Sequence, residues 1–211
     1  MLTIRFFTFS PVQENTYVLY NEDKKALIID PGCYDKAEKE TLSKFIFDNG
    51  LEVEKLLNTH CHLDHIFGNK WVHEKYGVEL FLHPEEEKVL AFGPQSGIMW
   101  GLPFENYAGP LNFLNAGEEV VLGNNVLKVI LAPGHSPGSI CFYCEEQKFV
   151  IGGDVLFRES IGRTDLPLGD HQTLLDSIRT QLFVLPDEVE VYPGHGPSTT
   201  IGYEKKHNPF L

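Results

Sequence analysis

Thr59-His60-Cys61-His62-Leu63-Asp64-His65 sets three histidines and one aspartate within six residues, just after the strand-like run 53–57. That is more than one tetrahedral site uses, because a catalytic zinc commonly takes three protein ligands and keeps its fourth position for water. The cluster therefore reads as split between two metals, with the missing ligands elsewhere in the chain.

Three later segments share one local pattern, an apolar strand ending in glycine followed by His or Asp. The run up to Ala132 leads into Pro133-Gly134-His135-Ser136-Pro137-Gly138, the run 149–151 into Gly152-Gly153-Asp154, and the run 189–192 into Pro193-Gly194-His195-Gly196-Pro197. Glycine and proline let the backbone turn tightly at a strand end, where open α/β sheets collect their active sites. The candidates are then His60, His62, Asp64, His65, His135, Asp154 and His195. The natural division gives His60, His62 and His135 to one metal, Asp64, His65 and His195 to a second, and Asp154 to a bridge. Histidine and carboxylate donors without thiolate suit zinc, iron or manganese, with zinc expected first. His73, His83, His171 and His207 lack the pattern and read as surface or capping residues.

Around these motifs the chain alternates strand and helix. Strands are expected over 2–9, 17–20, 25–30, 53–57 and 78–82, with helices over 34–49, 64–76 and 84–91. The second half reads as strands over 120–122, 126–131, 140–144, 149–151 and 189–192, with helices over 170–185 and 201–207. Residues 92–118 carry Gly, Pro and aromatics without a period, which reads as a long loop, either edging a pocket or a plain surface insertion. The order implies one α/β domain over residues 1–211, two sheets flanked by helices in an αββα arrangement.

A net charge of −13 and a pI near 5.0 repel phosphate backbones and argue against nucleic acid as a partner. No apolar run approaches the roughly 18–20 residues that span a bilayer, so no membrane partner is expected. The opening MLTIRFFTFSP reads as a strand without a signal-peptide cleavage site, so a cytoplasmic protein is expected. Four cysteines are too few and too uneven for a disulfide framework. Cys141 and Cys144 form a CxxC in an extended run, where positions i and i+3 face opposite ways and serve as buried thiols. Cys61 is expected to face away from His60 and His62 for the same reason.

The motif His60-Cys61-His62-Leu63-Asp64-His65 resembles the HxHxDH signature of the metallo-β-lactamase superfamily. His135 in PGHSPGS, Asp154 in GGD, His195 in PGHGP and the early Asp30-Pro31-Gly32 extend that resemblance from about residue 2 to residue 200. Within the superfamily the chain is most similar to the glyoxalase II type, through Gly153-Asp154-Val155-Leu156-Phe157 and Gly162-Arg163-Thr164-Asp165. That resemblance implies a dinuclear hydrolase acting on a small-molecule thioester such as S-D-lactoylglutathione. A metal-bridging hydroxide would attack the acyl carbonyl, Asp64 or Asp154 would handle the proton, and Arg163 would bind a substrate carboxylate. It also implies a departure, since full-length enzymes complete the thiol site with a C-terminal helical domain where this chain has only 201–211. Persulfide dioxygenases share the fold and a Gly-Arg-Thr-Asp stretch, and would use one iron on His60, His135 and Asp154. Lactone or β-lactam hydrolysis on the same dinuclear site is the other alternative.

Overall fold

The computed structural model describes residues 1–211. Strands β1 (Thr3–Phe9), β2 (Glu14–Tyr20), β3 (Lys25–Ile29), β4 (Glu52–Leu57), β5 (Leu80–Leu82) and β6 (Leu111–Phe113) lie side by side in that order. The first three pair antiparallel and the last four parallel. Parallel pairing needs crossovers, supplied by helices α1 (Lys36–Asp48), α2 (Leu63–Ile66), α3 (Asn69–Tyr76) and α4 (Glu87–Met99). The second sheet contains β7 (Glu119–Leu122), β8 (Asn125–Leu131), β9 (Ile140–Cys144) and β10 (Phe149–Gly153). After the small hairpin β11 (Leu156–Phe157) and β12 (Ser160–Ile161) come α5 (His171–Ser177), β13 (Glu190–Pro193), β14 (Thr199–Thr200) and α6 (Ile201–His207). The second sheet's order is β14-β13-β10-β9-β8-β7.

Side-chain alternation along the strands sorts the apolar residues into three cores. Tyr17, Leu19, Leu27, Ile29 and Leu57 of the first sheet meet Val129, Phe142, Phe149 and Ile151 of the second. The opposite face of the first sheet sends Val18, Ile28, Leu56 and Leu80 against Leu42, Ile66, Val72 and Leu90 of the helices. The outer face of the second sheet packs Cys141, Val150 and Val191 on Leu174, Ile178 and Ile201. Helices, sheet, sheet, helices: this is the expected αββα sandwich. The CxxC follows the same rule, with Cys141 in the outer core and Cys144 between the sheets. Cys61 is buried in the core under the first sheet's helices, away from His60 and His62.

Three elements differ from the sequence reading. The helix expected over 64–76 is two helices, broken at Phe67-Gly68. There the Gly68 N–H donates to the Pro31 carbonyl at 2.7 Å, and a Cβ at Gly68 would stand 2.5 Å from Cys33 Sγ. The backbone approaches too closely for any other residue. The loop expected over 92–118 is helical up to Met99, straight through Pro94, and contributes β6 further on. Tertiary packing overrides the local signal here. Added Cβ atoms at Gly93 and Gly97 would meet Phe104 at 3.1 and 3.0 Å, so the glycines seat this helix flat against that ring. Residues 170–185 contain α5 followed by a wider π turn, Ile178–Leu182.

Leu57 is fully buried between the sheets. Leu57→Ala should cost about 2–5 kcal/mol in urea denaturation, the usual range for a large-to-small core change. A loss well under about 1 kcal/mol would show that this interface is not tightly packed.

Candidate metal centre

Five strand ends converge on one edge of the sandwich. From the first sheet, β3 ends at Asp30 and β4 delivers the 58–65 loop. From the second, β8 leads to His135, β10 to Asp154 and β13 to His195. Main-chain bonds fasten the two halves together at this edge. Ile140 N–H donates to the Thr59 carbonyl at 2.9 Å and Asn15 N–H to the Gly194 carbonyl at 2.7 Å.

The seven predicted residues meet there in two sets. His62 Nδ1 lies 2.8 Å from His135 Nε2, which lies 3.1 Å from His60 Nε2. In the second set His195 Nε2 is 3.1 Å and His65 Nε2 3.8 Å from Asp64 Oδ2. Asp154 stands between the sets. Its Oδ2 is 3.6 Å from His135 Nε2 and 3.5 Å from His195 Nε2, while its Oδ1 is 3.5 Å from His65 Nε2. His60, His62 and His135 thus lie together, as do Asp64, His65 and His195, with Asp154 between them.

Outer contacts decide which ring nitrogen carries the proton. His135 Nδ1–H donates to the Arg163 carbonyl at 2.7 Å, and His195 Nδ1–H to the Gln13 carbonyl at 3.2 Å. His65 Nδ1–H donates to Asp30 Oδ2 at 3.0 Å. Thr59 gives its hydroxyl proton to the same oxygen at 2.5 Å, so its Oγ1 is left to accept from His60 Nδ1–H at 3.1 Å. Four rings thus aim Nε2 inward. Asp30, although near His60 and His65, lies behind them on their Nδ1 side.

Burial sharpens the electrostatics. His62 is pulled down to about 3, first by burial and then by the neighbouring His135, and burial lowers His60 and His135 as well. Burial also works against a charged His65, but Asp154, Asp64 and Asp30 outweigh it and push His65 up. For Asp154, burial pushes up and is overcome by His65, His195 and His135, which hold it below the usual carboxylate range. His65 Nε2 and Asp154 Oδ1 are buried without any hydrogen-bond partner. Converging lone pairs and orphaned carboxylate oxygen in a dry site call for cationic charge between them. The donor set fits divalent metals, with His60, His62 and His135 able to hold one and Asp64, His65 and His195 another.

Comparison with known proteins agrees with this geometry. The family model for the metallo-beta-lactamase superfamily matches residues 9–195. The chain belongs to that superfamily. Hydroxyacylglutathione hydrolase GloC of Haemophilus influenzae is 39% identical over 212 residues, spanning 100% of this chain and 98% of its own. The crystal structure of BLEG-1 B3 metallo-beta-lactamase has a TM-score of 0.90 at 40% identity and covers 99% of each chain. TTHA1623, crystallised in a di-iron-bound form, has a TM-score of 0.89 at 37% identity, over 98% of this chain and 100% of that one.

Several residues of this site carry no ligand motif and escaped the sequence reading. Glu86 is fully buried and accepts from Cys61 N–H at 2.7 Å, Ser136 Oγ at 2.5 Å and Gly138 N–H at 2.8 Å. One carboxylate so ties the His60–His62 loop to the His135 loop. Glu14, also fully buried, stands 3.9 Å from His65 Nδ1. Asn15 and Tyr17 donate to the Pro193 carbonyl at 3.1 and 2.6 Å and brace the turn before His195. None of them carries the strand-end pattern that marks the ligands. Of the histidines set aside, His83 caps a helical turn through Glu85 N–H, as expected. Arg163 lies at the rim, its Nε and Nη2 donating to both oxygens of Asp165 at 2.7 and 2.8 Å and its face toward Trp100.

A methyl group at Gly194 would stand 2.1 Å from Asp154 Oδ1 and 2.7 Å from His65 Cε1. Gly194→Ala should therefore leave the far-ultraviolet circular dichroism intact and remove about half of the bound metal in elemental analysis. Full metal content in that variant would dissociate Asp154 and His65 from the second set.

Proposed function

We propose that the chain is a dinuclear metallo-hydrolase that cleaves a thioester such as S-D-lactoylglutathione to a hydroxy acid and free thiol. The observation that carries this reading is the completeness of both ligand sets with Asp154 reaching each. A mononuclear iron site of the dioxygenase kind has no use for Asp64, His65 and His195 gathered in this way. The 39% identity to GloC over essentially the whole of both chains supports a thioester substrate.

When bound, two dications supply hydroxide at neutral pH and polarise the acyl carbonyl. The chain's own residues do the rest. His60 and His65 close the floor, while His195, with its side chain 28% exposed, marks the side from which substrate enters. Asp64 Oδ2 and Asp154 Oδ2 both lie on that side, beside His195 Nε2, and are the bases placed to take the proton. A thiolate leaves readily, its free pKa being near 8.5, so no strong general acid is needed. Arg163 offers a fork of donors to a substrate carboxylate, which would have to displace Asp165.

β-Lactam hydrolysis is the second reading, favoured by the 40% identity to BLEG-1 B3 metallo-beta-lactamase. One experiment separates them. Purified protein should contain two divalent ions per chain, zinc or iron, and turn over S-D-lactoylglutathione, with His60→Ala inactive yet folded. Faster turnover of nitrocefin would favour the β-lactam reading. One iron per chain with oxygen uptake on glutathione persulfide would overturn the hydrolase.

If the Asp165 carboxylate competes with substrate for Arg163, Asp165→Asn should lower KM several-fold for thioesters bearing a carboxylate and leave neutral ones unaffected. Equal effects on both would take Arg163 out of substrate binding.

A further inference from the structure

A cavity of about 350 Å³ opens beside the exposed edge of His195, lined by Phe157, Arg158, Glu159, His195, Gly196 and Pro197. Its size is within the roughly 300–1,000 Å³ of small-molecule sites. Arg158 and Glu159 form the turn of the β11–β12 hairpin. Glu159 holds φ at 56°, a left-handed conformation that tight turns ordinarily give to Gly or Asn. Contacts with α6 hold it there. Glu159 N–H donates to the buried Glu204 Oε2 at 2.9 Å, and the Tyr203 hydroxyl donates to Glu159 Oε1. The second oxygen, Oε2, has no protein donor.

Arg158 is the contrasting neighbour. Its guanidinium carbon sits 5.1 Å from the centroid of the Tyr203 ring and it enters no ion pair, whereas the Arg163 fork is filled by Asp165. In a chain of net charge −13, an arginine without a carboxylate partner at a cavity wall is a free anion receptor. The adjacent carboxylate makes the wall dipolar. A cation and an anion one residue apart match an ammonium and a carboxylate borne on one carbon, and match a simple phosphate poorly.

We propose that this cavity is the subsite for the α-amino-acid end of the substrate's thiol half, with Arg158 taking its carboxylate and Glu159 its ammonium. This rests on the thioester-hydrolase reading and narrows it to thiols that carry such an end group.

The test is isothermal titration of the metal-loaded protein with S-methylglutathione, which has the end group but no thioester, and with its N-acetylated form. Arg158→Gln should weaken S-methylglutathione about tenfold, as expected for a lost charge-assisted contact. Glu159→Gln should weaken S-methylglutathione but not the N-acetylated probe, and N-acetylation should weaken binding to the unsubstituted protein. The proposal is overturned by unchanged affinity in Arg158→Gln, by tighter binding in Glu159→Gln, which marks a plain anion site, or by no binding to the unsubstituted protein. Turnover of lactoyl-N-acetylcysteamine, which lacks the end group, reports separately on the hydrolase reading. Its loss sinks that reading, while the titrations alone judge the subsite.

Discussion

Three imidazole nitrogens, His60 Nε2, His62 Nδ1 and His135 Nε2, face one another across 2.8 and 3.1 Å in a site almost closed to water. With His60 and His135 protonated on Nδ1, their Nε2 lone pairs face each other, and charged rings would repel harder still. Burial drives all three toward the neutral form, so they do not supply the missing positive charge themselves. The Asp154 carboxylate, 3.6 Å from His135 Nε2, adds to the demand. A cation is what relieves this frustration, and the rest of the edge is built to keep these groups from turning away.

Two carboxylates outside the ligand sets hold that geometry. Asp30 receives the Thr59 N–H and hydroxyl, Asn58 Nδ2 and the His65 ring, and through Thr59 it fixes His60. It does so from a backbone with φ at 49°, an uncommon conformation for a residue other than glycine. Strain concentrated at a residue with four partners is the signature of a position set by its site. Glu86 performs the corresponding task between the loops of His60–His62 and His135, from the start of a helix that the first sheet holds down. Neither touches the ligand centre. Both determine where its donors point.

The ligands and the layers were legible in the sequence because each has a local cause. A strand that alternates its side chains and then ends in Gly-His or Gly-Gly-Asp announces both its face and its cargo. Asp30 was visible only as part of a resemblance, and Glu14 and Glu86 were not visible at all. Their partners are distant in sequence, such as Ser136 for Glu86, and a lone acidic residue carries no local mark of burial. The same holds for the helix through Pro94. Its Gly93 and Gly97 read as loop residues until Phe104 is known to lie across them. Arg163 shows a subtler limit: its position at the rim follows from the motif, but its partner Asp165, two residues on, decides whether its donors are available.

The order of causes runs from core to cation. Ligands at residues 60 and 195 are separated by most of the chain, and no short segment can assemble both sets. The sheets must pack first, and the bonds from Ile140 to Thr59 and from Asn15 to Gly194 must close the edge, before any ion meets more than the 60–65 cluster. A metal held by both halves then binds the native state almost exclusively, and by linkage its affinity adds directly to the stability of the sandwich. The hydrophobic layers supply the fold and accept, at one edge, a set of donors that is unfavourable alone. Occupancy turns that local cost into a clamp between the two sheets, which is why the chemistry sits at the seam rather than within either half.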